Sequence, residues 1–151
     1  MFLFSNGCVC GWKRLPNTLQ SVVALAQAGV VLVVEDDLAT RRLFRTALKT
    51  EGYAVVTVGD GLDALKYLEM HTPAAIILDL GLPRLHGSDV LSEMAAQGLT
   101  ERTSVIVVTG EQTDYLDASQ FVCVLQKPLN PDRLVATVRR CLNRPPGAQG
   151  I

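Results

Sequence analysis

The stretch "AAIILDLGLP", residues 74–83, decides the fold. Its short apolar run is typical of a buried β-strand, and Asp79 follows directly at the end of that run. A buried carboxylate is costly unless it has a cationic partner or an opening to solvent. What Asp79 faces therefore depends on what the other strands bring to the same place.

Short apolar runs alternate with helix-period segments from residue 30 onward. Strands are predicted at 30–34, 53–58, 74–79, 104–110 and 121–126. Strands that alternate with helices, with no hairpin signal, predict βαβ units and a parallel sheet covered on both faces. Residues 29–143 are thus predicted to form one doubly wound α/β domain with about five helices.

The helices have recognisable starts and apolar faces. Helix caps are predicted at Asp60, Ser88 and Asn130, and Asp37 is interpreted as a cap rather than a metal ligand. The first helix is predicted to bury one face, made of Leu43, Phe44, Ala47 and Leu48. Arg84 and His86, in the loop after Asp79, are expected to be exposed.

The ends of the chain stand outside this pattern. Residues 1–28 are interpreted as an N-terminal extension that forms an extra helix or is disordered. It is a docking helix, the product of an upstream start codon, or a remnant of cloning. Residues 144–151 are expected to be a flexible tail. The apolar run 21–34 is shorter than the roughly 20 residues of a membrane-spanning helix. No output domain is expected after the last helix.

Composition excludes several functions. The 151 residues carry a net charge of −1, so no broad positive field favours direct nucleic-acid or membrane binding. The four cysteines, at positions 8, 10, 123 and 141, do not form a disulfide framework, which is expected for a chain of the reducing cytoplasm. Cys123 and Cys141 are expected to pack as small apolar side chains.

Polar side chains follow four of the predicted strands at the end where ligands bind in such sheets. The first strand ends in "EDD" (35–37), the third in Asp79, the fourth in Thr109 and the fifth in Lys127 and Pro128. Since the carboxyl ends of parallel strands meet at one edge, these groups are expected to lie together.

The chemistry of this set indicates phosphoryl transfer. Clustered carboxylates repel one another unless a hard cation joins them, and oxygen ligands suit Mg²⁺ or Mn²⁺. A carboxylate can act as the nucleophile and form an aspartyl-phosphate. Lysine and threonine side chains can then stabilise the charge on the phosphoryl oxygens.

Four motifs together resemble the receiver domain of two-component response regulators. They are "VLVVEDD" (31–37), "IILDLGLPRLHG" (76–87), "VIVVTG" (105–110) and "LQKPL" (125–129), and the resemblance extends over about residues 30–142. It implies a flavodoxin-like five-stranded sheet of order 2-1-3-4-5. It also implies a cis peptide bond before Pro128.

The resemblance also implies a role for each site residue. Asp79 would accept a phosphoryl group from a phosphohistidine on a sensor histidine kinase or a phosphotransfer protein, in a Mg²⁺-dependent reaction. Thr109 would be the switch hydroxyl and Lys127 the phosphate-contacting lysine. The metal would be held by Asp36 directly, by Glu35 through a water, by Asp79 and by the backbone carbonyl of Gly81. Gly81 would also leave the phosphoryl group open to water.

Two positions depart from the family pattern. Val124 stands where the family often has an aromatic switch residue three positions before the lysine. Only eighteen positions separate Thr109 from Lys127, so the helix between the fourth and fifth strands is expected to be short or irregular. That helix normally contributes to output and dimerisation, so a monomer or a weak homodimer is expected.

Two other functions stay open at this point. A receiver-like module that is never phosphorylated would act only by protein interaction, and Val124 and the short helix weakly favour it. A metal-dependent phosphohydrolase would use Asp79 as nucleophile, but Gly81 stands where a second acid could act. The leading hypothesis is a signalling domain that catalyses only its own phosphorylation and slow dephosphorylation, with an unknown downstream effector.

Overall fold

Strands and helices alternate along residues 29–143, the part of the chain that the computed structural model describes. The predicted extension (1–28) and tail (144–151) lie outside the described residues. The elements are, in chain order, β1 (Val30–Val34), α1 (Leu38–Thr50), β2 (Ala54–Val58), α2 (Gly61–Met70), β3 (Ala75–Leu78), α3 (Gly87–Ala96), β4 (Ser104–Thr109), β5 (Cys123–Gln126) and α4 (Pro131–Leu142).

The five strands form one parallel sheet in the order β2-β1-β3-β4-β5. This confirms the predicted sheet order and places β3, the strand of the opening motif, at the centre. Every residue of β3 is buried. A parallel sheet with helices on both faces requires such continuously apolar strands.

Apolar residues pack on both faces of the sheet. One core cluster lies under α2 and α3 and includes Leu68, Ile76 and Met94. The other lies under α1 and α4 and includes Phe44 and Leu134. Cys123 and Cys141 pack in this second cluster, as predicted. The two cores fix the sheet between the helices and so fix the ends of the strands.

Two predicted details of the helices are wrong. The N-cap of α3 is His86 rather than Ser88, and the His86 Nδ1 atom accepts the Ser88 backbone N–H at 3.2 Å. Leu43 was placed on the buried face of α1, but it is 49 % exposed. The caps predicted at Asp37, Asp60 and Asn130 are confirmed.

The segment between β4 and β5 contains no α-helix. Its only helical element is a 3₁₀ turn at Ala118–Gln120, and a second 3₁₀ turn at Leu99–Glu101 precedes β4. The sequence prediction of a short or irregular helix at this position is thus confirmed. The 3₁₀ turn leaves the β4–β5 edge of the sheet less covered than the other strands.

Candidate functional site

Three charged residues from three strands meet at the carboxyl edge of the sheet. Glu35 follows β1, Asp79 follows β3 and Lys127 follows β5. The Lys127 Nζ atom donates to Glu35 Oε2 and to Asp79 Oδ2, each at 2.7 Å. The two carboxylates are only 2 % and 6 % exposed. The predicted cationic partner of Asp79 is therefore present in the structure.

Asp36 completes an acidic cluster with Glu35 and Asp79. One oxygen atom from each of the three residues lies within 4.8 Å of the others. Oxygen ligands at this spacing fit a hard divalent cation, and the exposed Asp36 leaves the cluster open to solvent. The oxygen atoms of this cluster thus fit the predicted Mg²⁺ or Mn²⁺. Mg²⁺ in proteins binds directly to only one or two carboxylates and keeps several waters.

Burial and charge shift the pKa values of the paired groups. Burial raises the pKa of Glu35, and the Asp79 charge adds to this, although Lys127 opposes it. Burial alone would lower the pKa of Lys127, but its bonds to Asp79 and Glu35 exceed that effect and raise the pKa. Lys127 therefore stays charged at neutral pH.

Thr109 is fully buried at the end of β4, the strand next to β3 in the sheet. Its Oγ1 atom accepts the backbone N–H of Glu111 at 3.0 Å, which leaves the hydroxyl proton available for donation. The same bond links Thr109 to the start of the segment that leads to β5. A movement of the hydroxyl would therefore act directly on that segment.

Gly81 lies two residues after Asp79, and its N–H donates to Asp79 Oδ1 at 3.2 Å. A Cβ atom at this position would lie 3.1 Å from Glu111 Oε1. A side chain at this position would therefore require the carboxylate of Glu111 to shift slightly. The metal-binding role of the Gly81 carbonyl stays a prediction.

His86 connects two loops at the edge of the site. Its Nδ1 atom accepts from the Ser88 backbone, so its Nε2 atom is the one that donates to Glu111 Oε2, at 3.1 Å. His86 was expected to be exposed, but it is half-buried and has defined partners. No sequence pattern shows this contact, because the two residues lie 25 positions apart.

Arg84 also has a defined place in the loop after β3. Its backbone φ is 63°, and its guanidinium group binds Asp60 and lies 3.3 Å from Asp63. The prediction that Arg84 is exposed is confirmed, since half of its side chain is accessible, but its ion pairs were not predicted. These pairs hold the loop after Asp79 against the N-terminus of α2.

The cis peptide bond between Lys127 and Pro128, which the resemblance implied, is present. This loop also lines an open groove against α1. Its lining residues are Thr40, Leu43, Phe44, Lys127, Pro128 and Leu129. Lys127 thus belongs both to the acidic cluster and to this groove.

The sheet order and the acidic edge together define the class of CheY-like α/β domains. A solved CheY-like receiver domain from Methanospirillum hungatei has this fold, with a TM-score of 0.70 at 23 % identity over 76 % of this chain and 94 % of that one. The model of the response regulator receiver domain family matches residues 31–139. The chain therefore belongs to the response regulator receiver domain family.

Relatives agree with this assignment. The response regulator MprA of a Mycobacterium species is 36 % identical over 121 residues, which are 76 % of this chain and 50 % of that protein. The signal receiver domain of a LuxO-type repressor protein from Vibrio parahaemolyticus is 35 % identical, with a TM-score of 0.71, over 77 % of this chain and 91 % of that one.

The structure of a response regulator from Thermotoga maritima was solved in complex with Mg²⁺ and beryllofluoride. That protein is 27 % identical, with a TM-score of 0.66, over 75 % of this chain and 98 % of that one.

This chain spans about half the length of the curated relatives it matches. Within residues 29–143, no helix is long and apolar enough to cross a membrane.

Proposed function

We propose that this chain is a phosphoacceptor receiver of a two-component phosphorelay, with Asp79 as the acceptor and Mg²⁺ as the metal. The observation that carries the proposal is the contact of Lys127 Nζ with both Glu35 and Asp79 at 2.7 Å, next to the oxygen of Asp36. One site thus brings together a carboxylate that could act as the nucleophile, a cation that could contact the phosphoryl oxygens and oxygen atoms that could hold a metal, which supports the proposal.

The transfer step would use these groups as follows. An Asp79 carboxylate oxygen attacks the phosphorus atom of a phosphohistidine, an O–P bond forms and the N–P bond breaks. The imidazole leaves with the electron pair of that bond. Lys127 contacts Asp79 already, so its charge can stabilise the phosphoryl oxygens without rearrangement, and Thr109 can donate its hydroxyl proton to one of them.

The metal would be held by Asp36, Asp79 and the Gly81 carbonyl, and by Glu35 through a water. Both Glu35 oxygens already accept hydrogen bonds, Oε1 from the Asp37 N–H at 3.1 Å and Oε2 from Lys127, which supports an indirect role. When bound, Mg²⁺ would neutralise charge on the transferring phosphoryl group.

The chain would act as a signalling domain and not as an enzyme on a separate substrate. The output would begin at Thr109, because its bond to Glu111 links the site to the segment before β5. Val124 cannot serve as an aromatic rotamer switch, so this backbone link would carry the signal in its place. A cytoplasmic location is part of this proposal, since the four cysteines of the sequence do not suggest a disulfide framework.

Incubation with Mg²⁺ and acetyl phosphate tests the proposal. We expect the wild-type chain to gain the mass of one phosphoryl group, and we expect no gain in Asp79→Asn or when EDTA removes the metal. Asp114→Asn, at an exposed aspartate between β4 and β5, is the matched control and should react like wild type. An equal mass gain in Asp79→Asn would refute the role of Asp79.

The groove beside Lys127 is where we place the phosphohistidine-bearing partner. Leu38 and Leu43 of α1 are each about half exposed, at 48 % and 49 %, and Leu43 lines the groove. Because Lys127 lies in both the groove and the acceptor site, a partner seated there would have its phosphohistidine close to Asp79. Such a partner would cover Leu43, whose exposure the sequence pattern did not predict.

Phosphotransfer from the histidine kinase that phosphorylates the chain fastest tests this placement. Leu43→Glu should slow transfer from the kinase at least tenfold, because a charge would have to be buried in the interface. Its phosphorylation by acetyl phosphate should be unchanged. Leu62→Glu, at an exposed leucine on α2, should affect neither reaction. Equal kinase rates in Leu43→Glu and wild type would refute the docking site.

A further inference from the structure

Arg41, in the second turn of α1, extends back to the loop that carries the acidic pair. Its Nη1 atom donates to the backbone carbonyl oxygen of Glu35 at 2.8 Å and approaches that of Asp36 at 3.4 Å. These are the two residues whose carboxylates join Asp79 in the acidic cluster. One guanidinium group therefore holds the main chain that carries two of the three carboxylates of the acidic cluster.

Gly59, just after β2, makes room for this guanidinium group. A Cβ atom on Gly59 would lie 2.9 Å from Arg41 Nη1, which is closer than such atoms approach one another. The end of β2 is itself tied to the loop, since the Glu35 N–H donates to the Val58 carbonyl at 3.2 Å. The guanidinium group is therefore seated between the ends of two strands.

The charge of Arg41 by itself opposes metal binding. Arg41 lies within salt-bridge distance of no carboxylate among residues 29–143, and its Nη1 atom binds carbonyl oxygens instead. A cation near a cation site weakens binding by Coulomb repulsion. Any favourable effect of Arg41 on the metal must therefore come from the geometry that it imposes on Glu35 and Asp36.

We propose that Arg41 is a positioning residue for the metal site. By holding the two carbonyls between β1 and α1, it keeps the carboxylates of Glu35 and Asp36 gathered with that of Asp79. Without this hold, the exposed Asp36 would sample positions away from the cluster, and the metal would have to order it. The inference rests on the proposed Mg²⁺-dependent function.

Mn²⁺ binding, measured from the electron paramagnetic resonance signal of the free ion, tests this role. In Arg41→Met the dissociation constant for Mn²⁺ should rise roughly tenfold, as for other changes to groups that orient metal ligands. The matched control is Arg45→Met, one turn further along α1, where the exposed side chain makes no such contact. The Mn²⁺ affinity of Arg45→Met should be unchanged or slightly higher, because this variant loses only a positive charge.

The sign of the change separates geometry from charge. Mn²⁺ binding by Arg41→Met that is as tight as in wild type, or tighter, would overturn the proposed role. If wild type itself binds no Mn²⁺ at millimolar concentration, the metal-dependent function is wrong and the role of Arg41 is wrong with it.

Gly59→Ala gives a second measurement that keeps Arg41 and its charge. The added Cβ atom would lie 2.9 Å from Arg41 Nη1, so the flexible guanidinium group would have to shift away from the Glu35 and Asp36 carbonyls. Mn²⁺ binding should therefore weaken here as well, but less than in Arg41→Met. Thermal unfolding without metal, together with amide hydrogen exchange of residues 35–38, identifies any variant that is unfolded. If Arg41→Met is unfolded, wild-type Mn²⁺ affinity in folded Gly59→Ala would overturn the proposal.

Discussion

Lys127 gives the site one ammonium group for three carboxylates. Its Nζ atom contacts Glu35 and Asp79 at 2.7 Å, while Asp36 stays exposed at the same edge. One ammonium group cannot balance three carboxylates, and a divalent cation would supply the missing positive charge. Asp79 therefore faces a lysine in the structure, and oxygen atoms that could bind a metal lie beside it.

The absence of a side chain at Gly81 has a direct consequence for a phosphoryl group on Asp79. Gly81→Asn should lengthen the lifetime of phospho-Asp79 several-fold, because the amide side chain would stand between that group and attacking water. The new Cβ atom would lie 3.1 Å from Glu111 Oε1, so this flexible carboxylate would have to shift by a few tenths of an ångström. Loss of the phosphoryl group over time, followed by mass spectrometry, measures the lifetime.

Gly98→Asn is the control for this change. Gly98 has a φ of +70° and nothing within 4 Å of its Cβ position, and asparagine tolerates that backbone conformation better than most residues. The lifetime in Gly98→Asn should equal that of wild type. An unchanged lifetime in Gly81→Asn would show that water reaches the phosphoryl group by another path.

At the scale of elements, one carboxylate joins helix α2 to the loop after β3. Asp60 Oδ1 accepts the Asp63 N–H at 2.9 Å and so caps α2, and Oδ2 binds the guanidinium group of Arg84. Arg84 needs this support, because a non-glycine residue at a φ of 63° costs roughly 1 kcal/mol. The cap and the ion pair together hold the loop that leads away from Asp79.

Asp60 gives the fold a defined response to acid. The Asp63 N–H and then Arg84 lower its pKa below the ordinary value of 3.8. A carboxyl whose pKa is lowered by folding stabilises the fold above its unfolded pKa, and that stability is lost as the pH falls through the folded pKa. Asp60→Asn keeps the capping oxygen but loses the charge that Arg84 binds.

Urea unfolding at several pH values measures this effect. At pH 7 the urea concentration at the unfolding midpoint should be lower for Asp60→Asn than for wild type. This difference between the two midpoints, the gap, should narrow as the pH falls below 3.8. Asp114→Asn, at an exposed aspartate outside any salt bridge among residues 29–143, should show no gap. A gap in Asp60→Asn that stays constant down to pH 3 would mean that the charge of Asp60 plays no part.

The sequence predicts those features of these elements that depend on local patterns. Strand β3 is recognised because its apolar run is continuous, and the N-caps Asp60 and Asn130 are recognised because their side chains cap in most contexts. His86 was missed because serine is the better general cap. The bond from His86 to Glu111 comes from the fold, and it is this bond that favours histidine here.

The site was predictable for a similar reason. Parallel strands bring their carboxyl ends to one edge, so Asp79, Glu35 and Lys127 could be placed together before any distance was known. Arg41 and Arg84 could not be placed, because their contacts depend on which carbonyl or carboxylate a long side chain meets in the folded chain. Leu43 was misplaced because an apolar helix position can also remain open as a groove wall.

At the scale of the whole molecule, the two faces of the sheet are covered unequally. Helices α1 and α4 cover one face and α2 and α3 cover part of the other, but the β4–β5 segment of the described residues adds only a 3₁₀ turn there. The large apolar side chains exposed on this segment are Tyr115, at 60 %, and Val122, at 37 %. A specific stable interface buries about 1,200–2,000 Å² and needs a buried apolar centre, which two separate side chains do not provide.

We therefore expect the chain to stay monomeric whether or not Asp79 carries a phosphoryl group. Multi-angle light scattering should give the mass of one chain at tens of micromolar, both without additives and with Mg²⁺ and beryllofluoride. Tyr115→Ala, which removes the largest exposed aromatic side chain of the segment, should leave that mass unchanged. A doubled mass that appears only with beryllofluoride and is lost in Tyr115→Ala would show that the β4–β5 segment forms a dimer interface after all, despite its missing helix.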